Sequence, residues 1–253
     1  MIMYERQHRI LKILEKNPSA RVIDLSDSLG VSPATIRRDL DSLHKKGQIK
    51  RIHGGAALAA KSVPEAPVLQ RSSQNLEEKK RIGRLAAGLI NEGETVFIGS
   101  GSTTMEVARN LIGRKNLTVI TNALTVVTLL SQVEGISLIV TGGFVRSSEL
   151  SFIGHLTEQA LRELRSQKVI MGIKSINLDQ GLTNDYLPEV STDRVIIQSA
   201  PEVILVADHT KFGMVSTALV APLATIHTLV TDTGIDPYML SELRGLVTNI
   251  ILA

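Results

Sequence analysis

Two stretches of this 253-residue chain bring chemically capable residue types together at close spacing. The first is Gly99-Ser100-Gly101-Ser102-Thr103-Thr104, small and hydroxylated residues that directly follow an apolar run. Between a strand and a helix, such residues let backbone N–H groups and hydroxyls close around an anion at the helix N-terminus. The run begins like a dinucleotide fingerprint, but Thr104 stands where a third glycine is needed, and no Walker lysine follows. Nicotinamide and ATP readings are therefore weak, and a phosphate-bearing small molecule fits better. The second stretch holds Ser32, Thr35, Arg37 and Arg38. Arginine forks onto guanine edges, while serine and threonine suit phosphate or base edges, so this stretch has the equipment to read DNA.

Other strand ends carry similar groups: Thr121-Asn122, Gly142-Gly143 with Arg146 just beyond, and Lys211 after Asp208. Ligands of open α/β sheets sit outside the carboxyl ends of strands, where such residues would converge. Arg146 and Lys211 could there neutralise a phosphate. Catalysis is not expected. An aldose–ketose isomerase needs a carboxylate base beside its carbonyl, and the segment Met171–Ile176 has none. His155 stands alone, no Ser-His-Asp arrangement has triad context, and no His/Asp/Glu spacing suits a metal. The reading calls for no cofactor and no metal ion.

The elements that must position these residues follow two patterns. Up to Lys46 apolar residues recur at helical spacing: Ile10, Ile13 and Leu14; Val22, Leu25 and Leu29; Ile36, Leu40 and Leu43. Ser32-Pro33 opens the third helix as cap and first residue, and Gly47 ends it. Gln48 to His53 reads as a strand before the turn Gly54-Gly55, giving a winged helix-turn-helix whose wing supplies Lys50, Arg51 and His53. Helical phase does not choose between Arg37 and Arg38 as base reader, and Asp39 and Asp41 either orient these arginines or decorate the solvent side. From Glu77 onward a helix precedes seven apolar runs, at 95–99, 117–121, 136–141, 168–173, 202–208, 227–232 and 248–253. Continuous Val/Ile/Leu runs separated by helices indicate a mostly parallel, doubly covered sheet. The expected organisation is a head at 1–56, a linker at 57–74 and an α/β body at 75–253.

Residues 1–62 carry 12 Lys and Arg against 6 Asp and Glu; the remaining 191 carry 16 against 19. A basic head on a slightly acidic body is the asymmetry expected when one part faces nucleic acid. The absence of cysteine excludes a disulfide framework, and no apolar stretch is long and unbroken enough for a membrane span. A cytoplasmic protein is expected.

The run Val31-Ser32-Pro33-Ala34-Thr35-Ile36-Arg37-Arg38-Asp39-Leu40, followed by Leu43, Gly47, Arg51 and His53-Gly54-Gly55-Ala56, resembles the head of the DeoR family of bacterial transcription regulators. GSGSTT, TNALTVV, GGFVR, SFIG, GLT, DHTKFG and LVTDTGID extend the resemblance through the body. It implies an operator-binding winged helix and a sensor domain related to sugar-phosphate isomerases. The expected function is repression of a carbohydrate-catabolism operon, controlled by a phosphorylated sugar or polyol, by a homodimer or homotetramer on double-stranded DNA. By matching position, Ser100, Gly101, Ser102, Thr103, Thr104, Thr121, Asn122, Gly142, Gly143, Arg146 and Lys211 are the effector-site candidates. The chain departs from the family pattern at Gly99 and Gln167, where aspartate is common, and at Lys174, which either selects a more anionic ligand or points away. The alternatives are an isomerase or deaminase with an accessory basic head, and an NAD-binding redox sensor, which Thr104 disfavours.

Overall fold

The computed structural model describes residues 2–17, 19–45, 48–52, 54–58 and 66–253, with the backbone alone for Glu15, Lys16, Lys45, Lys50 and Leu58. The helix stop read at Gly47, the wing residue His53 and the Lys50 side chain lie outside the described residues. The chain divides into two units, Met1–Val63 and Pro64–Ala253. Among the described residues no helix is long and apolar enough to cross a membrane.

The first unit runs α1 (Met3–Lys16), β1 (Ser19–Arg21), α2 (Val22–Leu29), α3 (Pro33–Lys45), β2 (Ile49–Ile52) and β3 (Gly55–Leu58). The helical periodicity of the sequence is the periodicity of its core: Ile10, Leu14, Val22, Leu25, Ile36, Leu40 and Leu43 pack with Ile49 and Ala56 in one buried cluster. Ser26 closes the turn between α2 and α3 by donating to the Val31 carbonyl at 2.5 Å. β2 and β3 form the antiparallel wing, and β1 adds to its other side in the order β1-β3-β2. The three residues of β1, Ser-Ala-Arg, show too little alternation to be read as a strand in advance.

The second unit opens with α4 (Val68–Arg71) and α5 (Leu76–Gly88), so part of the stretch read as linker is helical. β4 (Thr95–Ile98), α6 (Ser102–Arg109), β5 (Leu117–Thr121), α7 (Leu124–Leu130) and β6 (Ile136–Val140) follow. Next come the hairpin β7 (Phe144–Arg146) and β8 (Ser151–Ile153), α8 (His155–Glu163), β9 (Lys168–Met171), β10 (Ser175–Asn177) and β11 (Gly181–Asn184). The chain closes with α9 (Leu187–Gln198), β12 (Glu202–Val206), β13 (Ala218–Ala221), β14 (Thr228–Thr231), α10 (Pro237–Leu243) and β15 (Asn249–Leu252).

The seven apolar runs form one seven-stranded sheet in the order β15-β14-β12-β9-β4-β5-β6. Every pairing in it is parallel. Its interior strands are buried on both faces, with Val96, Ile98, Val119, Ile170, Ile204 and Val230 packing against Ile82 and Ala86 of α5 and Val107 of α6. A smaller antiparallel sheet, β10-β11-β13, was not anticipated from the sequence. From β4 the chain moves outward through β5 and β6, then returns to β9 on the other flank and continues to β15. The strand order therefore reverses between β4 and β9. That reversal opens a crevice at the carboxyl ends of these two strands.

Candidate functional site

In the first unit the exposed side of α3 is the candidate nucleic-acid face. Ser32 caps the helix as read: its Oγ accepts from the Thr35 amide at 3.3 Å and lies 2.9 Å from Thr35 Oγ1. Arg37 and Arg38, one turn on, are exposed and have no hydrogen bond or ion pair among the described residues. Asp39 corrects the sequence reading, since it neither orients these arginines nor faces solvent. It is 1% exposed and accepts from Arg6 of α1 at 2.5 and 3.2 Å. Asp41 instead faces the wing, 3.5 Å from Arg51 Nε. The α3 carboxylates thus tie it to α1 and β2, leaving two cationic side chains projecting unneutralised.

In the second unit the crevice between β4 and β9 holds a solvent-open cavity. One wall is the loop Gly99–Thr103, where Gly99 donates to the Ile170 carbonyl at 2.9 Å and so locks the loop onto β9. Gly101 adopts φ +135°, a conformation that side-chain-bearing residues rarely take, and from there the chain turns into α6. The first amides of a helix have no partner within it, and those of α6 belong to Ser102 and Thr103, which line the cavity. Lys211 lines the same cavity from the turn after β12.

The remaining wall comes from segments that the sequence reading did not join: Arg71 of α4, Glu149 between β7 and β8, Asn184 of β11, and Glu189 and Asp193 of α9. Lys174 also lines the cavity and is held by an ion pair with Asp185. Arg71 pairs with Glu149. Asn184 Nδ2 donates to Glu189 at 2.9 Å and to Asp193 at 3.1 Å. Burial, and after it the Glu189 charge, hold the Asp193 carboxyl well above the ordinary carboxylate range, against the pull of the Asn184 hydrogen bond. The cavity lining therefore combines cations and the start of a helix, which suit an oxyanion, with Asn184, Glu189 and Asp193, which suit hydroxyl groups.

Of the effector-site candidates, Ser100, Gly101, Ser102, Thr103 and Lys211 line this cavity, and the other six do not. Thr104 is fully buried, with its hydroxyl on the Gly101 carbonyl at 2.9 Å. The Thr121 hydroxyl donates to the Ile98 carbonyl at 2.6 Å, fastening β5 to β4. Asn122 holds β8, donating from its side chain to the Phe152 carbonyl at 3.0 Å and accepting from the Phe152 amide at 2.7 Å. Gly142 accepts from Thr157 at 2.7 Å, and any Cβ on Gly143 would fall 2.1 Å from the Thr157 hydroxyl. These glycines let α8 approach. Arg146 pairs with Glu189 and lies over the Tyr186 ring at 4.4 Å, so it orders the acidic wall from behind.

Residues 74–233 match the DeoR C terminal sensor domain, and residues 6–62 match the DeoR-like helix-turn-helix domain. The chain is 37% identical to the transcriptional repressor AccR of Agrobacterium fabrum, over 91% of this chain and 90% of that one. It is 36% identical to the glycerol-3-phosphate regulon repressor of Escherichia coli, over 90% of each. Among solved structures, ribose 5-phosphate isomerase A of Methanocaldococcus jannaschii aligns over 55% of each chain at 18% identity, with a TM-score of 0.42.

Proposed function

The chain belongs to the DeoR family of DNA-binding transcriptional regulators, and on that premise we propose that it represses a carbohydrate-catabolism operon under the control of a phosphorylated sugar or polyol. The observation that carries the effector class is the cavity at the strand-order reversal, where the amides of α6 and Lys211 meet an acceptor-rich wall. The phosphate sits on Ser100–Thr103 and Lys211, and the hydroxyl groups lie toward Asn184, Glu189 and Asp193. On DNA, Arg37 or Arg38 reads a major-groove edge. Ser32, Thr35, Lys50, Arg51 and His53 contact backbone or flanking edges. Two heads act together on two half-sites in the cytoplasm, as a homodimer or homotetramer, because operator symmetry mirrors protein symmetry. The effector binds the body more tightly in a conformation poor at DNA binding, and that difference in affinity is the switch.

The test is a thermal-shift screen of phosphorylated sugars and polyols against the full chain. A ligand at 100 times its dissociation constant adds about 2.7 kcal/mol to apparent stability. A hit that stabilises the protein and weakens operator binding supports the reading. A panel in which no phosphorylated compound shifts the transition rejects it.

A further inference from the structure

Arg71 stands at a junction that the proposed function does not use. It lies in α4, near the start of the second unit, and its guanidinium serves two places at once: Nε donates to the Ala66 carbonyl at 2.8 Å, and Nη2 pairs with Glu149 in the cavity wall. Both side chains of the pair are almost buried, at 11% and 8% exposure. The backbone of this segment is pinned beside the pair, where the Val68 amide donates to the Ser148 carbonyl at 2.8 Å. Ser148 and Glu149 belong to the turn between β7 and β8, which Leu150 closes at φ +49°, a conformation a leucine rarely takes. Further along, Lys79 Nζ donates to the Arg71 carbonyl at 2.7 Å and the Gln74 carbonyl at 2.6 Å. The Arg71 backbone is thus held independently of its side chain. Residues 67–70 are held by bonds of their own, with the Pro67 carbonyl accepting from the Gln70 and Arg71 amides, and what the Arg71 side chain adds is its tie to Ala66, from which the chain leads back in sequence to the DNA-binding unit.

Arg71 also lines the cavity, as do Ser100 to Thr103. We propose that the Arg71–Glu149 ion pair is the transmission element of the sensor: an oxyanion bound at Ser100–Thr103 takes the Arg71 fork from Glu149 and so loosens the chain at Ala66, just ahead of α4. This deepens the proposed function and rests on its anion site. The physical reason is competition for one planar donor. A guanidinium makes two parallel hydrogen bonds to only one oxyanion at a time, and phosphate carries more charge than a carboxylate. When the fork turns inward, its Nε leaves the Ala66 carbonyl, and the four-residue helix α4 and the Val68–Ser148 bond lose the anchor at their upstream end and open more readily. Ligand occupancy at the cavity then becomes altered order at the start of the second unit, with no change required in the large sheet.

The test uses the full chain, inorganic phosphate as probe at matched ionic strength, and hydrogen exchange of the peptide spanning residues 66–72. In the native chain, saturating phosphate accelerates exchange at Val68 several-fold. Glu149→Gln keeps the side-chain shape but removes the competing charge. It therefore binds phosphate about tenfold tighter, as loss of one charge-assisted competitor implies, and exchanges rapidly even without phosphate. Arg71→Gln is the reciprocal variant: it exchanges rapidly with or without phosphate and binds phosphate about tenfold more weakly. Phosphate binding that leaves residues 66–72 equally protected overturns the transmission role while leaving the anion site standing. Glu149→Gln binding phosphate no tighter than the native chain does the same. Absence of phosphate binding to the native chain overturns both.

Discussion

Asp39 reaches back to Arg6: its carboxylate accepts from the Arg6 guanidinium at 2.5 and 3.2 Å and lies 3.5 Å from the Gln7 amide nitrogen. The pair is buried between α1 and α3, so the recognition helix is held at its back by charge as well as by Ile36, Leu40 and Leu43. Among the described residues Arg37 and Arg38 have no ion pair, which leaves them for an external anion.

Removing one member of a buried pair strands the other, at a cost of about 3–5 kcal/mol. Asp39→Ala is accordingly expected to unfold the first unit at much lower denaturant, and also to weaken DNA binding by displacing α3. Equilibrium unfolding followed by circular dichroism checks this. A variant as stable as the native chain would show the pair to be dispensable.

Arg37→Ala and Arg38→Ala should behave in the opposite way. Exposed and unpaired, each should change stability by no more than about 0.5 kcal/mol while lowering operator affinity. The base reader loses about 1–3 kcal/mol and relaxes selectivity at one position; a phosphate contact weakens all sequences alike and reduces the salt slope by about one. Titration of an operator selected from random duplexes, at several salt concentrations, separates the two roles. If neither substitution alters affinity, α3 is not the reading helix.

Asp193 gives a pH signature. Its carboxyl is raised by burial and by the Glu189 charge, so the folded chain keeps this proton where the unfolded chain has released it. The associated stability is complete below about pH 4, the ordinary carboxylate value, and is lost as pH rises through the raised value. Asp193→Asn removes that slope. It should be as stable as the native chain near pH 4 and more stable at neutral pH, with the Asn184 contact retained through the amide oxygen. Denaturant midpoints measured from pH 4 to 8 test the difference; parallel curves for the two proteins would refute it.

Lys211→Gln should weaken inorganic phosphate binding about tenfold by removing one charge-assisted hydrogen bond. Thr121→Val, which removes a hydroxyl bonded to the Ile98 carbonyl and the Ala123 amide outside the cavity, should lower stability without a comparable change in phosphate affinity. Calorimetric titration of both variants distinguishes a lining residue from one that merely supports the sheet.

The seven strands could be read directly because each is a short, mostly apolar run, and burial of the interior strands on both faces demands such runs. The head was legible for the same reason at helical spacing. The small sheet β10-β11-β13 was not, since Ser-Ile-Asn and Gly-Leu-Thr-Asn are too short and mixed to show a period. In the cavity, Ser100 to Thr103 could be identified because the anion end is contiguous in sequence. Arg71, Glu149, Asn184 and Asp193 come from four separate elements or turns that only the finished fold brings together. The strand-end rule also points to Thr121, Asn122, Gly142 and Gly143, which do not line this cavity. Those positions follow β5 and β6, away from the reversal, where the β7–β8 hairpin and α8 take up their polar groups.

The two ends of the cavity differ in what they are made of. In the proposed site the anion end draws mainly on main-chain amides at the start of α6, which no substitution short of proline removes, whereas the sugar end is made of individual side chains on β11 and α9. Selection can therefore re-cut the sugar end one residue at a time while the handle for the phosphate is inherited unchanged. A sensor so built can change its diet without ever ceasing to be a sensor.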